Sequence, residues 1–141
     1  SAEGYLTGIV ENIDDTEYSS TSLTYENGDI TSISSKMNGL ENKFIYEPGE
    51  ESSTYHLPCL GLLEIHPLTF HIEALYAGLL GKDPRHFTIR SCPAGSNDEK
   101  TVYSYGFDKK GNPSRMICQT TYAGGQASYY PYTRNISISF E

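Results

Sequence analysis

Glu64, His66, His71 and Glu73 fall within ten residues and are the first group whose side chains have the right types for a metal. Zinc sites on helices space two histidines four apart, so that both rings face one way. Here the spacing is five and Pro67 intervenes, which turns the second ring away from the first. The group therefore reads as a polar face, and no metal is expected. His56 and His86 have no motif around them. Cys59, Cys92 and Cys118 contain no CxxC pair, which excludes zinc-ribbon and thioredoxin-like chemistry. An odd number leaves at least one free thiol in the monomer, with one disulfide open in any of three pairings. Glu11, Asp14, Asp15 and Glu17 lack the ligand order of a calcium loop and read as a solvated turn.

Catalytic signatures are absent from the sequence. There is no Gly-x-Ser-x-Gly elbow, no phosphate loop and no dinucleotide fingerprint. The 18 acidic residues single out no carboxylate pair, because such pairs are defined by separation in space. A non-enzymatic chain without a cofactor is the expectation. What remains is aromatic: Tyr122, Tyr129, Tyr130 and Tyr132 cluster around Gly124-Gly125. Tyrosine rings stack on sugars and carry a polar tip, so these four are the candidate ligand-binding residues. The competing reading places alternate tyrosines in a sheet core.

The elements that would hold such a site are mostly strands. The chain has 141 residues, and a single domain over 1–141 is expected, with 1–17 as a lead-in. Ser (16) and Thr (12) make up a fifth of it, while 12 Tyr supply the bulk that a core needs. The formal net charge of −8, with no basic cluster, argues against nucleic acid as a partner. No apolar run is long enough for a transmembrane helix. The small polar start Ser1-Ala2-Glu3-Gly4 and the Tyr, Ser and Thr richness suit a mature extracytoplasmic protein.

Residues 21–26 and 30–35 flank Asn27-Gly28, and Asn-Gly between two β-prone runs predicts a hairpin through a type I′ turn. Residues 42–47 predict a third strand, ended by Pro48-Gly49. Leu68, Ile72, Leu75 and Leu79 recur at helical spacing after Pro67 and before Gly81, which predicts one helix over about 68–80 packed on the sheet. Residues 86–92, 101–107, 113–121 and 134–140 complete the strands, with Asp108–Asn112 as a hairpin loop. The fold class expected is β-rich α+β, an antiparallel meander of about seven or eight strands, curved or partly barrel-like. Leu23, Tyr25, Phe44, Tyr46, Tyr103, Tyr105, Phe107, Ile136 and Ile138 are its candidate core.

Two stretches echo one another. Tyr25–Ile33 and Phe107–Met116 share an aromatic, an acidic turn, a Gly, and an apolar residue five places after that Gly. A repeated hairpin unit and two hairpins obeying the same turn chemistry fit equally well. The Tyr-Glu-Asn-Gly-Asp-Ile-Thr-Ser-Ile hairpin resembles units of secreted Bacteroidetes lipoproteins. The order Ala74–Lys82, then Val102–Pro113, is similar to an uncharacterised domain family described as having a porin-like, open β-meander fold. The likeness covers roughly residues 21–121 and rests on turns and aromatics. More distantly, the chain resembles tyrosine-aspartate repeats of bacterial surface proteins. The family implies an outer-membrane surface or periplasmic location and a lipid-anchored precursor, although its usual acylated N-terminal Cys is not seen here. It supplies no catalytic residues.

Three functions are therefore weighed. The first is a non-enzymatic binding module of a bacterial surface lipoprotein, with a glycan, a lipid or a surface protein as ligand. The second is a structural or interaction domain that pairs through exposed strand edges. A small hydrolase comes third, for want of motifs.

Overall fold

The computed structural model describes residues 1–52, 81–96, 98–122 and 132–137. Within them the chain forms one eight-stranded antiparallel sheet in strand order β1 to β8. The strands are β1 (Gly8–Ile13), β2 (Thr16–Glu26), β3 (Asp29–Met37), β4 (Leu40–Ser52), β5 (His86–Pro93), β6 (Glu99–Phe107), β7 (Pro113–Tyr122) and β8 (Tyr132–Ser137). Among the described residues β1 and β8 each pair with one neighbour only, so the meander is open.

Turn chemistry sets the first half. Asp14 and Asp15 (φ 49° and 61°), Asn27 and Gly28 (54° and 90°), and Asn38 and Gly39 (52° and 77°) are each a two-residue connection with both φ angles positive. That is the geometry whose twist matches the strands it joins. The expected Asn27-Gly28 hairpin is present, and β1 falls inside the lead-in. The solvated acidic turn expected around Asp14 and Asp15 is the β1–β2 connection.

Leu23, Ile30, Ile33 and Tyr46 form one buried cluster, with Leu6, Ile9, Tyr25 and Phe44 packed against it. Tyr103, Met116 and Cys118 form a second, joined by Tyr105 and Ile136. Register explains both. Leu23 faces Ile33, which faces Phe44. Tyr103 faces Cys118, and Tyr105 faces Met116 opposite Ile136. The echo seen in the sequence lands here, because the residue five places after each turn Gly is at the buried centre of its cluster, Ile33 at 0% and Met116, level with Cys118, at 1% exposure.

Between the clusters the inner face is hydroxylic. Ser91, Thr101 and Thr120 are buried. Their bonding capacity is used internally, since the Ser91 and Tyr103 hydroxyls lie 2.8 Å apart, as do those of Thr101 and Thr120. Paired in this way they avoid the cost of an unsatisfied buried polar group.

Several expectations need correction. Pro48-Gly49 does not end the third strand, because β4 continues to Ser52. The β4–β5 ladder shifts register on both sides of Pro48, and such irregularities are where a residue without an N–H is tolerated in a sheet. Phe107 is not buried core but 41% exposed: it keeps the inner face, with its ring centroid 5.9 Å from that of buried Phe87, yet sits at the end of β6 where little covers it. The helix expected over 68–80, with Leu68, Ile72, Leu75 and Leu79, lies outside the described residues, as do Ile138 and the end of the last strand. The described architecture is all-β, so the α part of the α+β expectation has no support in it.

Candidate functional site

β5 and β6 pair through only two registered positions, Arg90 with Val102 and Ser91 with Thr101. By contrast β6 and β7 pair from Glu99–Tyr122 to Phe107–Pro113. Where the short ladder stops, toward the Pro93 end of β5, a cleft of about 390 Å³ opens. It is lined by Ile45, Tyr46 and Glu47 of β4, Arg90 and Cys92 of β5, and Glu99 and Lys100 of β6.

Alternation sorts these side chains. Ile45 registers with Cys92 and Glu47 with Arg90, while Arg90 registers with Val102. Ile45, Glu47, Arg90, Cys92 and Lys100 therefore share the outer face, opposite the hydrophobic clusters, and Tyr46 and Glu99 belong to the inner one. Arg90 donates through Nη2 to the Glu47 carboxylate. The pair is half exposed on both sides (50% and 47%), so it orients the guanidinium more than it stabilises the fold. Ile45 keeps 41% of its surface exposed and the Cys92 thiol is free and partly buried, which gives the cleft an apolar wall. A volume near the lower end of the usual range for small-molecule sites suits a ligand the size of one or two sugar rings.

A second group carries chemical side chains. Asp29, first residue of β3, is buried, and its Oδ1 accepts the His86 backbone N–H at 2.7 Å. Its Oδ2 lies 2.8 Å from His86 Nδ1. A carboxylate that orients an imidazole is half of a hydrolytic arrangement. Among the described residues no hydroxyl or thiol is hydrogen-bonded to this ring, so the nucleophile that would complete it is not assembled there. The surroundings point to a clasp instead. The Arg85 N–H donates to the Gly28 carbonyl at 2.9 Å, Tyr5 stacks on Tyr25 with ring centroids 4.8 Å apart, and Lys82 sits over the Tyr5 ring. Together these tie the β2–β3 turn to the start of β5.

The tyrosines singled out from the sequence divide. Tyr122 ends β7, half-buried, opposite Glu99 of the cleft. Tyr132 begins β8, opposite Thr120. Tyr129 and Tyr130 lie outside the described residues, as do His56, His66, His71, Glu64, Glu73 and Cys59. Of the four, Tyr122 is the one whose side chain is described, and it is not among the residues lining the cleft. Sequence reasoning missed its lining residues because they come from three strands and share no motif. It also passed over His86, whose partner is 57 residues away.

The family described as a domain of unknown function (DUF4595) with porin-like fold matches residues 1–115. A crystal structure of a porin-like protein from Bacteroides uniformis ATCC 8492 is similar, with a TM-score of 0.79 and 26% sequence identity, over 97% of this chain and 54% of that one. The chain thus spans about half the length of that protein. No curated protein matches.

Proposed function

The chain belongs to the DUF4595 family of domains with a porin-like fold, and from that premise we propose that it is a non-enzymatic binding module working outside the cytoplasm, with a glycan as ligand. The observation that carries the reading is the cleft at the β5–β6 seam. It combines a partly exposed apolar wall, Ile45 and Cys92, with a fixed guanidinium, a carboxylate and an ammonium group on one rim. Sugars need both components, because their ring faces are apolar and their edges are hydroxylic. A lipid is the poorer fit, since the cleft is small and rimmed by four charged residues.

The hydroxyl- and tyrosine-rich composition supports an extracytoplasmic setting, and the resemblance to secreted Bacteroidetes lipoproteins is what suggests the outer-membrane surface or the periplasm and a lipid-anchored precursor. Cell fractionation tests that placement. A thermal-shift screen of saccharides and lipids tests the binding. A ligand at a hundred times its Kd stabilises the folded state by about 2.7 kcal/mol, which for a chain of this size raises Tm by about 8 °C. No shift across the saccharide panel refutes the reading.

One observation favours a second reading, a domain that pairs through its edge. β1 is an edge strand with Val10 59% and Ile13 50% exposed, where edges are usually guarded by charge or proline. Association that disappears in Val10→Lys would favour it.

A further inference from the structure

The cleft singles out an acidic sugar, and we propose that its ligand is a uronate-type saccharide whose carboxylate is taken by Lys100. This inference rests on the glycan reading above and narrows it. Four charged residues line the cleft, two of each sign. Glu47 and Arg90 are bonded to each other, so their charges cancel locally. Glu99 also lines the cleft but, by the alternation of β6, from the inner-face side, where it registers with Tyr122. On the outer face that leaves Lys100, exposed and without an ion-pair or hydrogen-bond partner among the described residues.

Among the described residues the outer mouth therefore carries one cation not bonded to a carboxylate, in a chain whose formal net charge is −8. An anion reaching it crosses an unfavourable general field, so recognition must come from short-range contact, and that selects for a ligand able to use the neighbouring groups as well. A hexuronate supplies each counterpart. Its carboxylate meets the ammonium, its hydroxyls meet the exposed oxygens of Glu47 and the remaining N–H groups of Arg90, and its C–H face lies on Ile45 and Cys92. A neutral sugar satisfies the last two and leaves the ammonium unused. A simple inorganic anion satisfies only the first.

The test titrates the protein with digalacturonate, with a neutral digalactoside and with inorganic phosphate, following backbone amide shifts and affinity. Digalacturonate is expected to move amides of residues 45–47, 90–92 and 99–100. Loss of one charge-assisted bond is expected to weaken digalacturonate about ten- to a hundredfold in Lys100→Met, with Lys100→Arg recovering most of it. Lys100 is exposed, so both variants fold, and unchanged melting temperatures verify this. If the digalactoside binds the cleft equally well and ignores Lys100→Met, the acidic-ligand inference falls while the glycan reading stands. If phosphate binds as tightly as digalacturonate, the sugar contacts are refuted. If neither saccharide shifts any cleft amide, both readings fall.

Discussion

Asp29→Ala is the sharpest perturbation of the fold, because one small side chain fastens two elements far apart in the chain. Asp29 accepts the His86 backbone N–H at 2.7 Å and contacts His86 Nδ1 at 2.8 Å. A hydrogen bond to a charged partner contributes roughly 1.5–3 kcal/mol net, and a donor left without an acceptor in a partly buried place adds to the loss. The imidazole is 27% exposed and can turn to water, so its share falls toward about 1 kcal/mol. The sum for Asp29→Ala is a loss of about 3 kcal/mol. Asp29→Asn keeps an oxygen for the His86 N–H and is expected to cost about 1 kcal/mol.

Urea unfolding monitored by tyrosine fluorescence measures both. His86→Ala removes the ring but keeps the backbone N–H, so the cycle with Asp29→Ala isolates the ring contact, expected near 1 kcal/mol. An Asp29→Ala variant within 0.5 kcal/mol of the parent would show that the clasp is incidental, and the argument that it holds β5 would fail.

Three further outcomes follow from the packing and the turns. Ile33→Ala and Met116→Ala each empty the centre of a cluster and are expected to cost about 3 kcal/mol in chemical denaturation, and a loss under 1 kcal/mol at either would deny that position its central role. A Cβ built on Gly49 lies 2.6 Å from Ile89 Cγ2 and 3.4 Å from the Phe87 carbonyl oxygen. Gly49→Ala should cost about 1–2 kcal/mol, partly restored by Ile89→Ala in the same chain, and an equal loss in the double variant would refute the clash. Hydrogen bonds from Asn112, first its side chain and then its backbone, hold the Asp108 carboxyl below its ordinary value, helped by the Lys110 N–H and charge. A carboxyl lowered on folding contributes above its unfolded value and loses that contribution as pH falls through the folded one. The β6–β7 loop should therefore keep its structure down through the ordinary carboxylate range and loosen only below it. Amide shifts of Lys110 and Asn112 report this, and a midpoint at or above the ordinary value would contradict it.

How much of this was legible in the sequence depended on how local the determinant was. Asn27-Gly28 announces its hairpin because the turn's geometry is a property of those two residues. Asn38-Gly39 carries the same signal, and with it the β3–β4 connection was within reach. The 101–107 and 113–121 strands showed in their alternation, and Pro113 at a strand start fits its missing N–H. Phe107 was misjudged because alternation gives its face, which it shares with Tyr105 against Phe87, but not that it lies at the uncovered end of the strand. Pro48 was misjudged because a ladder irregularity accommodates it. The cleft was invisible. Ile45, Arg90 and Lys100 meet only because two ladders bring β4, β5 and β6 side by side, and nothing in the spacing of those residues states where the β5–β6 ladder stops.

The position of the cleft has a cause in the connections. β1 to β4 are joined by two-residue turns, and each turn dictates the register of the strands it links. β6 and β7 share a loop closed on Asp108. β5 has no such neighbour, because 33 residues separate it from β4 and its ladder to β6 holds at two positions. A backbone ladder holds its β4 edge, and side chains supplement it: His86 to Asp29, Arg90 to Glu47, Ser91 to Tyr103, and the Tyr105 hydroxyl donating to the Thr88 carbonyl at 2.7 Å. On the β6 edge, where the ladder holds at two positions and side-chain bonds act at separate points, gaps remain that a continuous backbone ladder would close. The cleft is one such gap, and most of its lining lies on the face opposite the hydrophobic clusters. Binding sites tend to occupy the less cooperative parts of a fold, and in this meander that part is the strand no turn controls.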